Sequence, residues 1–262
     1  MAKFTQTYPT DLKYTEWQLI ADYFPMHRLG RPRKWEMWQI LNAILYVVRT
    51  GCQWRMLPTD LPPWQTVYGY FRRWKKNGIW ERINKALVKK VRVKHGRKAE
   101  PSAGILDSQS VKTSEGGEQR GVDVHKQTPG RKRHIVTDTL GLLLIVLVHS
   151  ASLQDGAGGY QVLQKLFETI KRSVHNRWCR LKLIWADGVM LISWKKYASN
   201  LVGRWTLFAD RIKPKDLKSC RIVGLSSEPL AGWVAIVVYH AILNIPFHPA
   251  SPWFISPAFD AC

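Results

Sequence analysis

The chain has 262 residues, 40 Lys and Arg against 19 Asp and Glu, and a formal net charge of +21. That length holds one large domain or two small ones, and a field of that sign favours polyanionic partners, nucleic acid first. Cys52, Cys179, Cys220 and Cys262 are scattered without C-x-x-C spacing, which excludes a disulfide scaffold and disfavours a zinc site. The start Met-Ala-Lys-Phe-Thr-Gln has no apolar signal core. A reduced, cytoplasmic, nucleoid-associated protein is expected. The charge is uneven: residues 1–100 hold 20 basic and 7 acidic side chains, residues 101–188 hold 12 and 8. The front is therefore the expected first contact with DNA or RNA.

Residues 10–95 read as helical. Thr10-Asp11 is the expected cap of a helix carrying Trp17, Leu19, Ile20 and Tyr23, ended by Pro25. Gly30-Arg31-Pro32-Arg33-Lys34 reads as a basic extended arm. Between Trp35 and Thr50, Trp38, Ile40, Leu41, Ile44, Leu45 and Val48 recur at near-helical spacing, and Gly51-Cys-Gln-Trp54 breaks the run. Pro62-Pro63-Trp64-Gln65-Thr66 leads into a helix where Val67, Tyr70, Phe71 and Trp74 share a face. Arg72, Arg73, Lys75 and Lys76 fall largely on the other. A short helix, a Pro-containing turn and a basic aromatic helix outline a helix-turn-helix reader with 66–76 as recognition helix. Its basic side chains would meet phosphates, which position a protein without specifying sequence. A solvated charged face over an aromatic core gives the same stripes; the positive excess and the basic arm favour the DNA reading. Lys89-Lys90-Val-Arg92-Val-Lys94-His-Gly-Arg97-Lys98 reads as a linker, its charges solvated or, alternatively, against the DNA backbone.

After Gly104 the pattern turns to strands. Ile105-Leu-Asp107-Ser-Gln-Ser-Val111 is a short apolar strand with a polar end, and 112–130 is loop-like. Arg131 to Thr139 is a strand, Leu140-Gly141 the turn, and Leu142 to Val148 a buried strand. Gly158 to Ile170 reads as a helix and Leu181 to Ala186 as a strand ending at Asp187. The fold class is α/β: a helical, helix-turn-helix-like front followed by a mixed sheet with helices packed on it. Asp107 and Asp187, each at the end of an apolar run, suggest a metal site, since carboxylates are hard oxygen ligands for Mg²⁺ or Mn²⁺. Two such ions can clamp the attacking and leaving oxygens of a phosphodiester. On spacing alone, turn or cap residues are an equally open reading.

Longer motifs add to this. Gly51-Cys-Gln-Trp-Arg55-Met-Leu-Pro58, Pro62-Pro-Trp64-Gln-Thr-Val-Tyr68, Phe71-Arg-Arg-Trp74 and Asn77-Gly-Ile-Trp80-Glu resemble the helical front of bacterial insertion-sequence transposases. Asp107-Ser-Gln-Ser-Val-Lys-Thr113, Gly130-Arg-Lys-Arg-His134, Asp138-Thr-Leu-Gly141, His149-Ser-Ala-Ser152 and Trp185-Ala-Asp187-Gly resemble its catalytic half. The resemblance runs from about residue 10 to 188 and is to the DDE class, insertion-sequence-five-like group. It implies a ribonuclease-H-like catalytic fold, Asp107 and Asp187 as the first and second metal-binding carboxylates, and a two-metal reaction. In that reaction water cuts a phosphodiester at the element end, and the freed 3′-hydroxyl attacks target DNA. It also implies DNA contacts from Lys112, Arg131, Lys132 and Arg133. Asp123, Asp138 and Asp155 are expected to be structural or supporting residues. Partners would be double-stranded DNA, at terminal inverted repeats and target, and further copies of the chain.

The resemblance stops at Gly188. The family continues A-D-G-G-Y; this chain has Ala186-Asp187-Gly188-Val189-Met190. The family's third carboxylate, a Glu in a segment like R-W-V-V-E-R-T-F-G-W, is missing. Read one nucleotide late, V-E-R-T as GTC GAG CGA ACC becomes Ser226-Ser227-Glu228-Pro229, and G-Y-A-D-K-L becomes Val189-Met-Leu-Ile-Ser-Trp194. Residues 189–262 are therefore expected to be a shifted-frame, poorly folded tail that leaves the sheet incomplete at the C-terminus. Glu228 and the apolar run Leu230 to Phe247, which contains His240 and Asn244 and is marginal as a membrane span, are then accidents. The expected organisation is 1–98 DNA-binding, 99–188 catalytic and 189–262 tail. The expected function is a transposase impaired in catalysis. The alternatives are a non-catalytic end-binding repressor and a programmed frameshift that restores the Glu; a nuclease of the same fold fits the long motifs less well.

Overall fold

The computed structural model describes residues 4–24, 33–113, 120–172, 180–181, 183–186 and 206–208. These fall into two compact units that divide between Leu87 and Val88.

The first unit is helical: α1 (Tyr14–Ile20), continued by one 3-10 turn to Tyr23, α2 (Met37–Thr50), α3 (Trp64–Lys76) and the first part of α4 (Ile79–Lys94). Helix α1 begins later than Thr10-Asp11 suggested. The Asp11 carboxylate turns back and accepts the N–H groups of Thr7 and Tyr8 at 2.8 and 3.0 Å. The start of α1 is fixed instead by the Lys13 N–H donating to Glu16 at 2.8 Å, and Glu36 and Gln39 repeat the device on α2 at 2.9 Å. Gly51, at φ 70°, ends α2 in the left-handed conformation that favours glycine. The α2 residues expected to face inward are buried, and they pack with Val67, Phe71 and Trp74 of α3 and with Ile79, Trp80 and Ile83 of α4. Phe24 stacks among Trp17, Trp74 and Trp80. Of the apolar residues on α1, Leu19 is exposed while its neighbour Ile20 is buried.

The second unit begins with the end of α4. Lys89 to Lys94 are its last turns rather than a linker. Arg92, read from sequence as a solvated charge, is buried. Its guanidinium pairs with the buried Asp138 and its Nε donates to the Lys98 carbonyl at 2.9 Å. The other Asp138 oxygen accepts the N–H groups of Leu140 and Leu142, both at 2.9 Å, and so shapes the turn whose Gly141 has φ 77°.

Among the described residues six strands form one mixed sheet: β1 (Ala103–Lys112), β2 (Gly121–Asp123), β3 (Thr128–Asp138), β4 (Leu143–Ser150), β5 (Leu183–Trp185) and β6 (Thr206–Phe208). β3 pairs antiparallel with β1, β2 and β4; β1 pairs in parallel with β5, and β5 with β6. The stretch 112–130, expected as loop, contributes β2 and the start of β3. β6 lies inside the segment expected to leave the sheet unfinished. Its Thr-Leu-Phe sequence suits a strand, and its backbone extends the sheet beyond β5. The rest of the tail, with Glu228 and the run 230–247, lies outside the described residues. Helix α5 (Asp155–Arg172) covers one face, packing Val162, Leu163 and Leu166 on Leu106, Val136 and Ile184.

Candidate functional site

Strand alternation sorts the candidate residues before any distance is measured. Asp107, Gln109 and Val111 of β1 share a face with Ile135, Arg133 and Arg131 of β3. Leu106, Ser108 and Ser110 share the opposite, α5-covered face with Val136, His134 and Lys132. Asp107 is exposed on the central strand, opposite Ile135, and its Oδ1 accepts the Ser108 N–H at 2.7 Å. Two residues earlier, Ile105 is in parallel register with Trp185. Asp187 lies two positions beyond Trp185 and outside the described residues. Among the described residues no three His, Cys, Asp or Glu side chains group to hold a metal ion. The chemistry of Asp107, an exposed hard oxygen donor, fits a divalent cation.

The basic run on β3 behaves differently from expectation. Lys132 is 3% exposed and Arg133 2%. The Lys132 ammonium lies 3.0 Å from Asp123 and 2.9 Å from Asp155, and donates to the Leu153 carbonyl at 3.0 Å. The Arg133 Nε donates to Gln109 at 2.8 Å. These placements do not fit direct DNA contact: Lys132 turns into the α5-covered face onto two carboxylates, while Arg133, on the opposite face with Asp107, is buried against its cross-strand partner Gln109. Lys112 is exposed at the end of β1 and Arg131 is half-buried beside it.

Lys132 is the centre of a buried polar cluster. The Asp123 carboxylate also accepts the Ser110 hydroxyl and the N–H groups of His125 and Lys126. Burial pushes this carboxyl up, but those donors and the ammonium outweigh it and hold it well below the usual range. Asp155 is lowered in the same way, its burial outweighed by Lys132. His134 Nδ1 lies 2.8 Å from His149 Nε2, and His134 Nε2 lies 3.0 Å from the Asp155 carbonyl. Burial, the neighbouring imidazole and Lys132 lower the His134 pKa to about 4 against the pull of Asp155. Burial likewise lowers His149. Burial thus disfavours charge on both rings; His134 Nε2 faces the Asp155 carbonyl and His149 Nδ1 lies 3.1 Å from the Ser150 carbonyl, so each of those nitrogens is placed to donate. Gly158 of α5 closes the cluster: a Cβ there would come within 2.3 Å of the His134 ring. Asp123, Asp138 and Asp155 are structural residues. The cluster was missed in the sequence, although strand alternation through Arg131-Lys-Arg-His134 carries its signal.

In the helical unit the basic residues stand outside. Arg72, Arg73 and Lys76 are exposed on α3. Arg72 lies over the Tyr68 ring at 5.8 Å and Arg73 over Tyr70 at 5.2 Å, while Arg55 lies over Trp64 at 5.6 Å. Lys75 is half-buried, and burial lowers its pKa against the pull of Glu81. Arg33 and Lys34 are exposed, Lys34 over Trp35 at 5.5 Å. Arg31 lies outside the described residues.

A helical unit with an arginine-rich outer face precedes a mixed sheet with an exposed acid on its central strand, the architecture that a DDE domain of ribonuclease-H-like fold implies. The family comparisons agree: residues 12–84 match a family described as transposase of IS4/5 family, and residues 98–204 match the transposase DDE domain. The two matches, one in each unit, support an insertion-sequence transposase of the DDE class. It is 31% identical over 101 residues to an uncharacterized 16.2 kDa protein of insertion element IS402 from Burkholderia cepacia. That stretch is 38% of this chain and spans 64% of the relative's length. No solved structure matches the chain. The DDE match runs to residue 204, sixteen residues past Gly188, where the resemblance is expected to stop. Among the described residues no helix is long and apolar enough to cross a membrane.

Proposed function

We propose that this chain descends from an enzyme that cuts and joins DNA at the ends of its insertion element, and that it binds those ends but cleaves them poorly. Residues 1–98 act as the DNA-reading domain and 99–188 as the catalytic one. The observation that carries the reading is the exposed Asp107 on the central strand, two residues past the parallel β1–β5 register. Asp107 and Asp187 are the proposed pair of metal-binding carboxylates. Divalent cations, Mg²⁺ or Mn²⁺, supply charge neutralisation of the transferring phosphate when bound there. Asp107 holds its carboxylate outward on a rigid strand, so that donor is positioned before substrate arrives. The third carboxylate is the missing part: the family's V-E-R-T-F-G-W segment does not occur in the chain, whereas V-E-R-T written GTC GAG CGA ACC and read one nucleotide late spells Ser226-Ser227-Glu228-Pro229. The same protein assembles as two or more copies on the terminal repeats and target DNA, in the bacterial cytoplasm.

A gel-shift and cleavage assay with duplex DNA from the element ends and Mg²⁺ tests this. The expected result is end-specific binding, little cleavage by this chain, and cleavage by a frame-restored chain carrying the V-E-R-T segment. Asp107→Asn in the restored chain abolishes cleavage and spares binding. Efficient cutting by the unrestored chain, or an active Asp107→Asn variant, overturns the catalytic assignment. A gene sequence with no open frame for V-E-R-T under residues 224–233 removes the frame-change explanation. The second reading, an end-binding repressor, is favoured by the intact outer face of α3; it predicts inhibition of an active transposase by this chain in trans.

A further inference from the structure

We infer that Gly69 marks the point at which α3 comes closest to duplex DNA. The inference rests on the end-binding reading above. The outward face of α3 reads Gln65, Tyr68, Gly69, Arg72, Arg73 and Lys76, all exposed and at helical spacing. The helix contains no acidic residue. Arg72 and Arg73 are laid over Tyr68 and Tyr70, so their guanidiniums are held near the helix surface rather than swinging free in solvent.

At the middle of this face stands a glycine that the fold does not require. Gly69 is inside a regular helix, where glycine is less favourable than alanine. It does not have the positive φ of Gly51, Gly78 or Gly96. A methyl group at Gly69 would have no heavy atom within 4 Å, whereas at Gly158 and Gly121 it would collide with His134 and Ser150. Packing and backbone conformation both permit alanine there, so the missing side chain serves something outside the chain. A glycine without either reason marks a close approach of another molecule to the backbone. The charge of the face selects a polyanion, and the major groove is wide enough to admit a helix. Gln65 and Arg72, one turn to either side, are the types that read adenine and guanine edges once the helix lies deep enough.

The test pairs stability with binding, using the full chain and duplex DNA carrying the element ends, with a scrambled duplex as control. Gly69→Ala is expected to raise Tm by about 2–4 °C, from helix propensity alone. It is also expected to weaken end-DNA binding about tenfold, and Gly69→Gln to weaken it further. Such opposite signs are not produced by a structural role. If the unaltered chain shows no preference for end DNA, the end-binding reading fails. If it does bind, and Gly69→Ala binds equally well, this inference fails while that reading stands. A Gly69→Ala chain that changes oligomeric state with unchanged affinity assigns the face to a second copy and likewise overturns the inference.

Discussion

In the helical unit Arg72, Arg73 and Lys76 stand on the solvent side of α3, over a core of aromatic and aliphatic side chains. In the sheet unit Lys132, Arg133 and Arg92 point inward, onto Asp123, Asp155, Gln109 and Asp138. Both regions are basic, and the sequence runs Arg-Arg-Trp-Lys-Lys and Arg-Lys-Arg-His look alike as text. The difference is what each charge faces. A basic side chain on an amphipathic helix's outer face is free to meet phosphate, whereas one on a covered strand is committed to holding its neighbours. Burial, and not sign of charge, divides solvent-facing from structural residues here.

The sharpest way to break this contrast is Lys132→Ala. It leaves the buried Asp123 and the half-buried Asp155 without their cation, and a loss of about 3–5 kcal/mol is expected in denaturant unfolding followed by circular dichroism. A loss below about 1 kcal/mol would show Lys132 to be dispensable and the contrast to be wrong. Acidification gives the next largest effect. The folded His134 pKa is depressed to about 4, so between about 6.5 and 4 the unfolded chain binds a proton that the folded chain refuses. Its contribution is complete above about 6.5 and is lost as pH falls to 4, of the order of 3 kcal/mol. Urea midpoints at pH 7 and pH 5 should differ in that direction, and His134→Gln should flatten the difference. Gly158→Ala comes third: the new methyl group meets the His134 ring, costing about 1–3 kcal/mol in the same unfolding measurement. The smallest stability effect is that of Arg72→Ala, within about 0.5 kcal/mol, although end-DNA affinity in a gel shift falls. Large destabilisation by Arg72→Ala would place that residue with the structural charges instead.

Much of the architecture was legible from periodicity. The 3.6-residue spacing in Trp35 to Thr50 and in Val67 to Trp74 reports burial against other helices, and both stretches are core. Alternation, a glycine turn and apolar runs marked β1, β3 and β4. What the sequence hid were the places where a polar residue has a buried partner far along the chain. Arg92 looks like one more charge in a solvated run until Asp138, forty-six positions later, is brought beside it. Asp11 looks like a helix cap until its carboxylate is seen turned back on Thr7 and Tyr8. In the candidate site, the role of Asp107 is legible as an acid ending an apolar run; its exposure on the central strand is not. The shared fate of Lys132, His134 and Asp155 depends on which face α5 covers, which no local spacing encodes.

The pairing of β1 also orders events in time. On one side it meets β3, a strand reached within a short antiparallel meander. On the other it meets β5, with Ala103 opposite Leu183, and β5 becomes available only after α5 has been made. Local contacts close early and distant parallel ones late. The strand that carries Asp107 is thus half-assembled for much of synthesis, one row of its backbone amides waiting for a partner that leaves the ribosome about 80 residues later.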